Sequence, residues 1–132
     1  MRLILTAILS LSLLGACTSK PVHDLDDQLV PVAVTGNRLS LDSVERGILD
    51  ASRKRGWIAR VVEPGLIEAQ ISVRSHGANV LIPFSEDSYS IHYKDSENLD
   101  FDDGSIHRNY NKWVNNLSKT IRQELLQKSR QL

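Results

Sequence analysis

One thiol, four imidazoles and a dense run of carboxylates are the groups in this sequence with chemistry to offer. Cys17 is the only cysteine, so an intramolecular disulfide and a two-cysteine metal or redox site are excluded. The imidazoles belong to His23, His76, His92 and His107, and no two stand at the short spacing that brings metal ligands together on one element. Asp95-Ser96-Glu97-Asn98-Leu99-Asp100-Phe101-Asp102-Asp103-Gly104 has the clustered carboxylates a hard cation such as calcium prefers. Its spacing is wrong for an EF-hand, because setting Gly104 at the sixth position puts Leu99 at the first and Phe101 at the third. The chain holds no H-E-x-x-H, no G-x-S-x-G and no glycine-rich phosphate loop, and its many serines would let a Ser/His/Asp set be drawn almost anywhere. No catalytic, cofactor-binding or metal-binding residue is therefore assigned.

Cys17 is set apart by what precedes it. Arg2 gives a basic start, Leu3 to Leu14 contains no charged residue, and Gly15-Ala16 supplies small residues, the three parts of a secretory signal. An apolar run of about a dozen residues falls well short of the roughly 20 needed to span a bilayer, and polar Thr18 to Asp27 contains no stop-transfer pattern. Such a segment is removed rather than folded. Leu14-Gly15-Ala16-Cys17 resembles the lipobox of bacterial lipoproteins. The resemblance implies that the Cys17 thiol receives a diacylglyceryl group, that the signal over residues 1–16 is cut before it, and that the new amino terminus is acylated. Membrane lipid is then a partner through acylated Cys17, and a two- or three-chain anchor is effectively permanent, since each buried CH₂ contributes about 0.8 kcal/mol. Thr18 follows the cysteine where aspartate could stand, which is similar to the enterobacterial pattern for the outer membrane, facing the periplasm.

Without residues 1–16 the chain has 116 residues and loses one charge, Arg2, leaving 15 basic against 16 acidic residues. That length suits one small domain with a modest core, and the near-neutral balance gives no support to nucleic-acid binding. Residues 17–38 hold Pro21, several aspartates, Pro31 and Gly36-Asn37 without a helical period, which predicts a lipidated N-terminus and flexible tether. Within it, Leu29 to Val34 could lie extended on the domain, Pro31 confining it to an edge.

The domain is expected over residues 39–128, with a short tail at 129–132. Leu41, Val44, Ile48 and Ala51 recur at helical spacing, with Ser40 as N-cap, Leu39 and Val44 placed as a staple, and Gly56 as the stop. The period then changes to two. Trp57, Ala59 and Val61 alternate with polar and apolar neighbours, Pro64-Gly65 makes a turn, and Ile67, Ala69, Ile71 and Val73 form the second row of a hairpin. Ala78, Val80, Ile82 and Phe84 make a third row, ended by Pro83, and Tyr89, Ile91 and Tyr93 a fourth. A second amphipathic helix starts near Ile106, its stripe continuing through Tyr110, Trp113, Val114, Leu117, Ile121 and Leu125. The expected class is α+β: a two-layer fold in the order α-β-β-β-β-α, a four-stranded antiparallel meander with the N-terminal and C-terminal helices on one face. The opposite face carries Glu68, Gln70, Ser72, Asn79, Ser90, His92 and Lys94 and is expected to be wet.

Charge is segregated: seven acidic residues and one lysine lie between Glu86 and Asp103, six basic residues and one glutamate between Ser105 and Leu132. Carboxylates just before a helix are expected to cap its N–H groups and complement its dipole. The basic residues of the last helix could meet anionic lipid headgroups or an acidic partner, but Tyr110 and Trp113 share its apolar stripe, so a solvated basic face is the expectation. Ile106-His107-Arg108-Asn109-Tyr110-Asn111-Lys112-Trp113-Val114, with Arg55-Gly56-Trp57 and Pro64-Gly65, resembles a group of small, functionally uncharacterised Gram-negative lipoproteins over most of residues 40–126. The resemblance implies the fold and the address and carries over no activity. Asn109 and Asn111 flank Tyr110 on a helix, where asparagine is unfavourable; solvent exposure is the simple expectation, a hydrogen-bonding role the sharper one. The expected function is a membrane-anchored bacterial envelope lipoprotein acting as a non-enzymatic interaction or structural module, its partner an envelope protein or the cell wall. The competing class is a small periplasmic hydrolase or ligand-binding protein using the polar strand face or the acidic loop.

Overall fold

The structure, a computed structural model, describes residues 18–132; the signal over residues 1–16 and the lipidation expected at Cys17 lie outside the described residues. In chain order the elements are β1 (Ser19–Pro21), β2 (Leu25–Leu29), α1 (Leu41–Lys54), β3 (Ile58–Glu63), β4 (Leu66–Val73), β5 (His76–Pro83), β6 (Ser88–Glu97), β7 (Ser105–His107) and α2 (Asn109–Ser129). The class is α+β with two helices, but the layout is not a four-stranded meander. Five antiparallel strands in the order β2-β6-β5-β4-β3 form the main sheet, and β1 and β7 form a separate two-stranded ribbon.

The helix and the four strands of the middle of the chain form where periodicity predicts, although Val61 and Val73, expected in the apolar rows, are exposed. Ser40 is extended and its hydroxyl accepts the Ser43 N–H at 3.1 Å, satisfying one of the donors a helix start leaves free. Asp42 stands in the first turn of α1 and Arg53 and Lys54 in the last, each with the sign the helix dipole favours. Pro64 and Gly65 turn β3 into β4, Gly65 at a φ of 81° that glycine adopts without strain. Ile67, Ala69, Val80, Ile82, Tyr89 and Ile91 then point to one side and pack with Val44, Ile48, Val114, Leu117 and Ile121 of the helices into one buried cluster.

Residues 18–38 depart from expectation. Read as a flexible tether, the segment instead carries β1, which pairs antiparallel with β7, and β2, which pairs antiparallel with β6. It then buries Val30 and Ala33. Polar contacts hold it: the Tyr93 N–H donates to the Asp24 carboxylate at 2.9 Å, and the Asp27 N–H to Ser90 Oγ at 3.0 Å. Asn111 closes the ribbon from above, donating to the Pro21 carbonyl at 2.9 Å and accepting the His23 N–H at 3.0 Å. Its place in a helix is thus explained by hydrogen bonding rather than by exposure.

The last helix also differs. Ile106 is buried as an apolar stripe residue should be, but within β7, and α2 begins at Asn109. The carboxylates expected to cap it do not: its first turn holds no acidic residue, and the N-cap Arg108 makes no side-chain cap bond. The Asn109 N–H donates to His107 Nδ1 at 3.2 Å instead.

Gly47 sets how closely the helices approach. A Cβ there would stand 2.6 Å from Leu125 Cδ2. Around this contact Lys54 pairs with Glu124, and Arg55 Nε donates to Thr120 Oγ1 at 2.7 Å. Gly47→Val is expected to lower unfolding free energy by about 1–3 kcal/mol through overpacking. Gly47→Ala loses less, since alanine regains about 1 kcal/mol of helix propensity and Leu125 can shift its methyl. Urea denaturation of the two variants checks the order.

Candidate functional site

Three surfaces gather the side chains that could act. The first is the sheet face away from the helices, where Glu68, Gln70, Ser72, Asn79, His92 and Lys94 keep some or all of their solvent contact. Ser90 does not, because β2 covers it. Charges here are paired across strands: Arg60 donates to Glu68 at 3.0 Å and Lys94 Nζ to the other Glu68 oxygen at 2.8 Å. The Lys94 hydrogen bond, then the charges of Lys94 and Arg60, outweigh desolvation and hold the Glu68 carboxyl below its ordinary range. Asp26 on the edge strand lies 2.6 Å from His92 Nε2 and is, among the described residues, the one hydrogen-bond partner of that ring. An imidazole oriented by a carboxylate is half of a general-base arrangement, and no nucleophile completes it among those residues.

His92 and His107 are not brought together. His107, on β7, stacks on His76 with ring centroids 6.4 Å apart, and His76 Nδ1 lies 2.6 Å from the Asn98 carbonyl oxygen. His23 is exposed beside the ribbon. The acidic loop meets the His76–His107 pair only through backbone carbonyls, those of Asn98 and Leu99; Asp102 and Ser105 exchange backbone hydrogen bonds in a tight turn, and Asn98, Asp100 and Asp103 take positive φ values that Asn and Asp tolerate. Among the described residues no three His, Cys, Asp or Glu side chains converge to hold a metal ion.

The second surface is a cleft of about 310 Å³ between the β4–β5 turn and the head of α2, lined by Val73, Arg74, His76, Asn109, Lys112 and Trp113. Here the chain enters the described structure: the Thr18 carbonyl accepts the Arg108 N–H at 3.0 Å, and Ser19 stands opposite His107. Sequence reasoning treated Arg108 and Lys112 as one solvated helix face and did not single out Arg74. Nothing in the local sequence joins a hairpin turn to a helix start.

The third surface is an apolar groove of about 360 Å³ at the other end of α2, where Val32, Ala33, Val34 and Thr35 face Leu126, Ser129, Arg130 and Leu132. Val34 is fully exposed, and Val32, Leu126 and Leu132 are each about half so. At 1.5 Å per residue, the 21 residues of α2 put this groove roughly 30 Å from the cleft.

Together these features define a small α+β domain with a paired polar sheet face, a cationic end and an apolar end. Comparison with protein-family models, curated proteins and solved structures finds no match to this chain.

Two outcomes are expected. Because the Glu68 carboxyl is held low in the folded state, its ion pairs stabilise the fold above its ordinary pKa of 4.5, and that contribution is lost as pH falls through the lower folded value. The stability gap between the wild type and Glu68→Gln should therefore be full at neutral pH and close on acidification below about pH 4.5, as chemical denaturation along a pH series would show. Asn111→Ala should cost about 1 kcal/mol and speed amide exchange at His23 and along the β1–β7 ribbon, leaving β4 and β5 protected.

Proposed function

We propose that this protein is a bacterial envelope lipoprotein, anchored through acyl chains on Cys17 in the outer membrane facing the periplasm, whose domain works as a non-enzymatic interaction module. The observation that carries this reading is the path of the N-terminal segment. Thr18, the residue after the lipobox cysteine, is bonded to the head of α2, and the chain beyond it is built into strands. An anchor at Cys17 thus leaves the domain no slack, and the apolar groove at the far end of α2 is carried away from the membrane. Its lining combines valines and leucines with Arg130 and includes no acidic side chain. It suits an envelope protein that presents apolar side chains beside carboxylates.

The orienting bond between Asp26 and His92 supports a second reading, a small periplasmic hydrolase or ligand-binding protein using the polar sheet face. His92→Ala separates the two: a folded variant that loses the cellular phenotype of the wild type favours the sheet face, and an unaffected one favours the groove.

Two measurements test the leading reading. Cys17→Ser should abolish the lipid mass increment and leave an unprocessed or misplaced precursor; unchanged membrane retention and mature mass would refute the anchor. A photo-crosslinking residue at Val34 should trap a discrete envelope protein in intact cells, whereas one at Ile58, on the β3 edge, should not. Only uncrosslinked monomer from Val34 at saturating illumination removes the groove from the proposal.

A further inference from the structure

We infer that the end of the domain where Thr18 meets α2 is a docking surface for anionic phospholipid headgroups, their phosphates contacted by Arg74, His76, His107, Arg108 and Lys112, with Trp113 at the acyl boundary. This rests on the proposed anchor at Cys17. Three observations point to that occupant.

The first is where the undescribed chain rejoins the domain. Cys17 lies one peptide unit, about 3.8 Å between Cα atoms, from Thr18. The Thr18 carbonyl is itself hydrogen-bonded to Arg108. The diacylglyceryl group on the Cys17 sulfur puts its acyl chains in hydrocarbon within a glycerol unit of the chain, so the surface around Thr18 is held in the headgroup layer, which is only about 5–7 Å deep on each side of the bilayer core.

The second is charge. Lys54, Arg60, Lys94 and Lys128 are paired with carboxylates within the domain. Arg74, Arg108 and Lys112 form no ion pair within 4.0 Å among the described residues, as is also true of Lys20, Arg55, Lys119, Arg122 and Arg130; what sets the three apart is their place, Arg74 and Lys112 lining one cleft and Arg108 bonded to Thr18. Two carboxylates border this end, Glu97 opposite Gly77 and Asp100 next to Leu99, whose carbonyl accepts the His107 N–H at 2.7 Å; both are exposed, and neither pairs with these cations among the described residues. Cations left without internal partners are available to phosphate, and guanidinium matches it with two parallel hydrogen bonds.

The third is shape. Arg74 occupies the tip of the β4–β5 turn with a φ of 57°, Lys112 lies one turn into α2, and the cleft between them is floored by Trp113. A half-buried indole with a polar N–H is the side chain that favours the boundary between headgroups and acyl chains.

Hydrogen exchange of the lipidated protein, reconstituted into phosphatidylethanolamine vesicles with and without phosphatidylglycerol, tests this surface. Segments 73–77 and 107–113 should exchange more slowly in the vesicles containing phosphatidylglycerol. High salt should abolish the difference. Arg74→Asn keeps the left-handed turn conformation, and with Lys112→Gln it should also remove the difference, each lost cation weakening headgroup association about fivefold. Intact mass of the same sample reports lipid on Cys17. Lipidated protein with equal protection in both vesicles, or with protection that survives salt and the double substitution, overturns the headgroup surface and leaves the anchor standing. Protein recovered from the membrane without lipid on Cys17 overturns the anchor and this surface with it.

Discussion

The Thr18 carbonyl accepts the Arg108 N–H, and behind that bond three residue pairs join β1 to β7. β7 has no other strand neighbour, and α2, the longest element, begins two residues after it, so the register of this ribbon sets where the helix starts. A two-stranded ribbon is marginal by itself in water. This one persists because Ile106 is buried in the core and Asn111, from the first turn of α2, reaches back to the backbone on both sides of Val22. Helix and ribbon therefore hold each other, and the N-terminal chain is fixed to the body of the domain from its first described residue.

Strand β6 plays the corresponding part in the main sheet. It pairs with β5 on one side and β2 on the other, and the Tyr89 hydroxyl donates to the Ser118 carbonyl of α2 at 3.2 Å. Tyr93 stacks on Phe101 with centroids 4.6 Å apart and meets the edge of Tyr110 at 5.4 Å. The Tyr110 hydroxyl is buried without a hydrogen-bond partner among the described residues, and burial pushes its pKa far up. Aromatic packing at this corner thus outweighs the cost of one unsatisfied hydroxyl, which is about 1–3 kcal/mol. The aspartates of β2, by contrast, are all spent on polar contacts to β6 or exposed to water, so the added edge strand needs little apolar surface of its own.

That division explains what was legible in the sequence. The helix over 41–54, the strands β4, β5 and β6 and the apolar stripe of α2 announce themselves because each buries residues at the period of its own element, whereas β3, an edge strand with no buried residue, is marked by its β-branched residues and the Pro64-Gly65 turn. β1 and β2 do not, since Asp24, Asp26, Asp27 and Gln28 are bound by side-chain and backbone hydrogen bonds to residues more than sixty positions away, and only their partners reveal that they form strands. Ile106 carried a true signal, burial, under the wrong period: it stands four residues before Tyr110 and so imitates the helix stripe. The sheet face was legible residue by residue except at Ser90, hidden by the strand that composition disguised. The cationic end was not, because Arg74 and Lys112 meet only through the fold.

Replacing a tether with a clamp changes what the proposed anchor can do. A flexible coil of about 20 residues would let the domain roam roughly 25 Å from the bilayer and present every face in turn. Built into β1 and β2, the same residues would keep one end of α2 close to the proposed anchor, with the apolar groove roughly 30 Å away along the helix. Ion pairs on the sheet face join β3, β4 and β6, whereas Arg108 and Lys112 at the head of α2 form none within 4.0 Å among the described residues. A partner at the distal groove would then meet a domain whose N-terminal segment is already ordered, so binding would remove less freedom than it would from a tethered one.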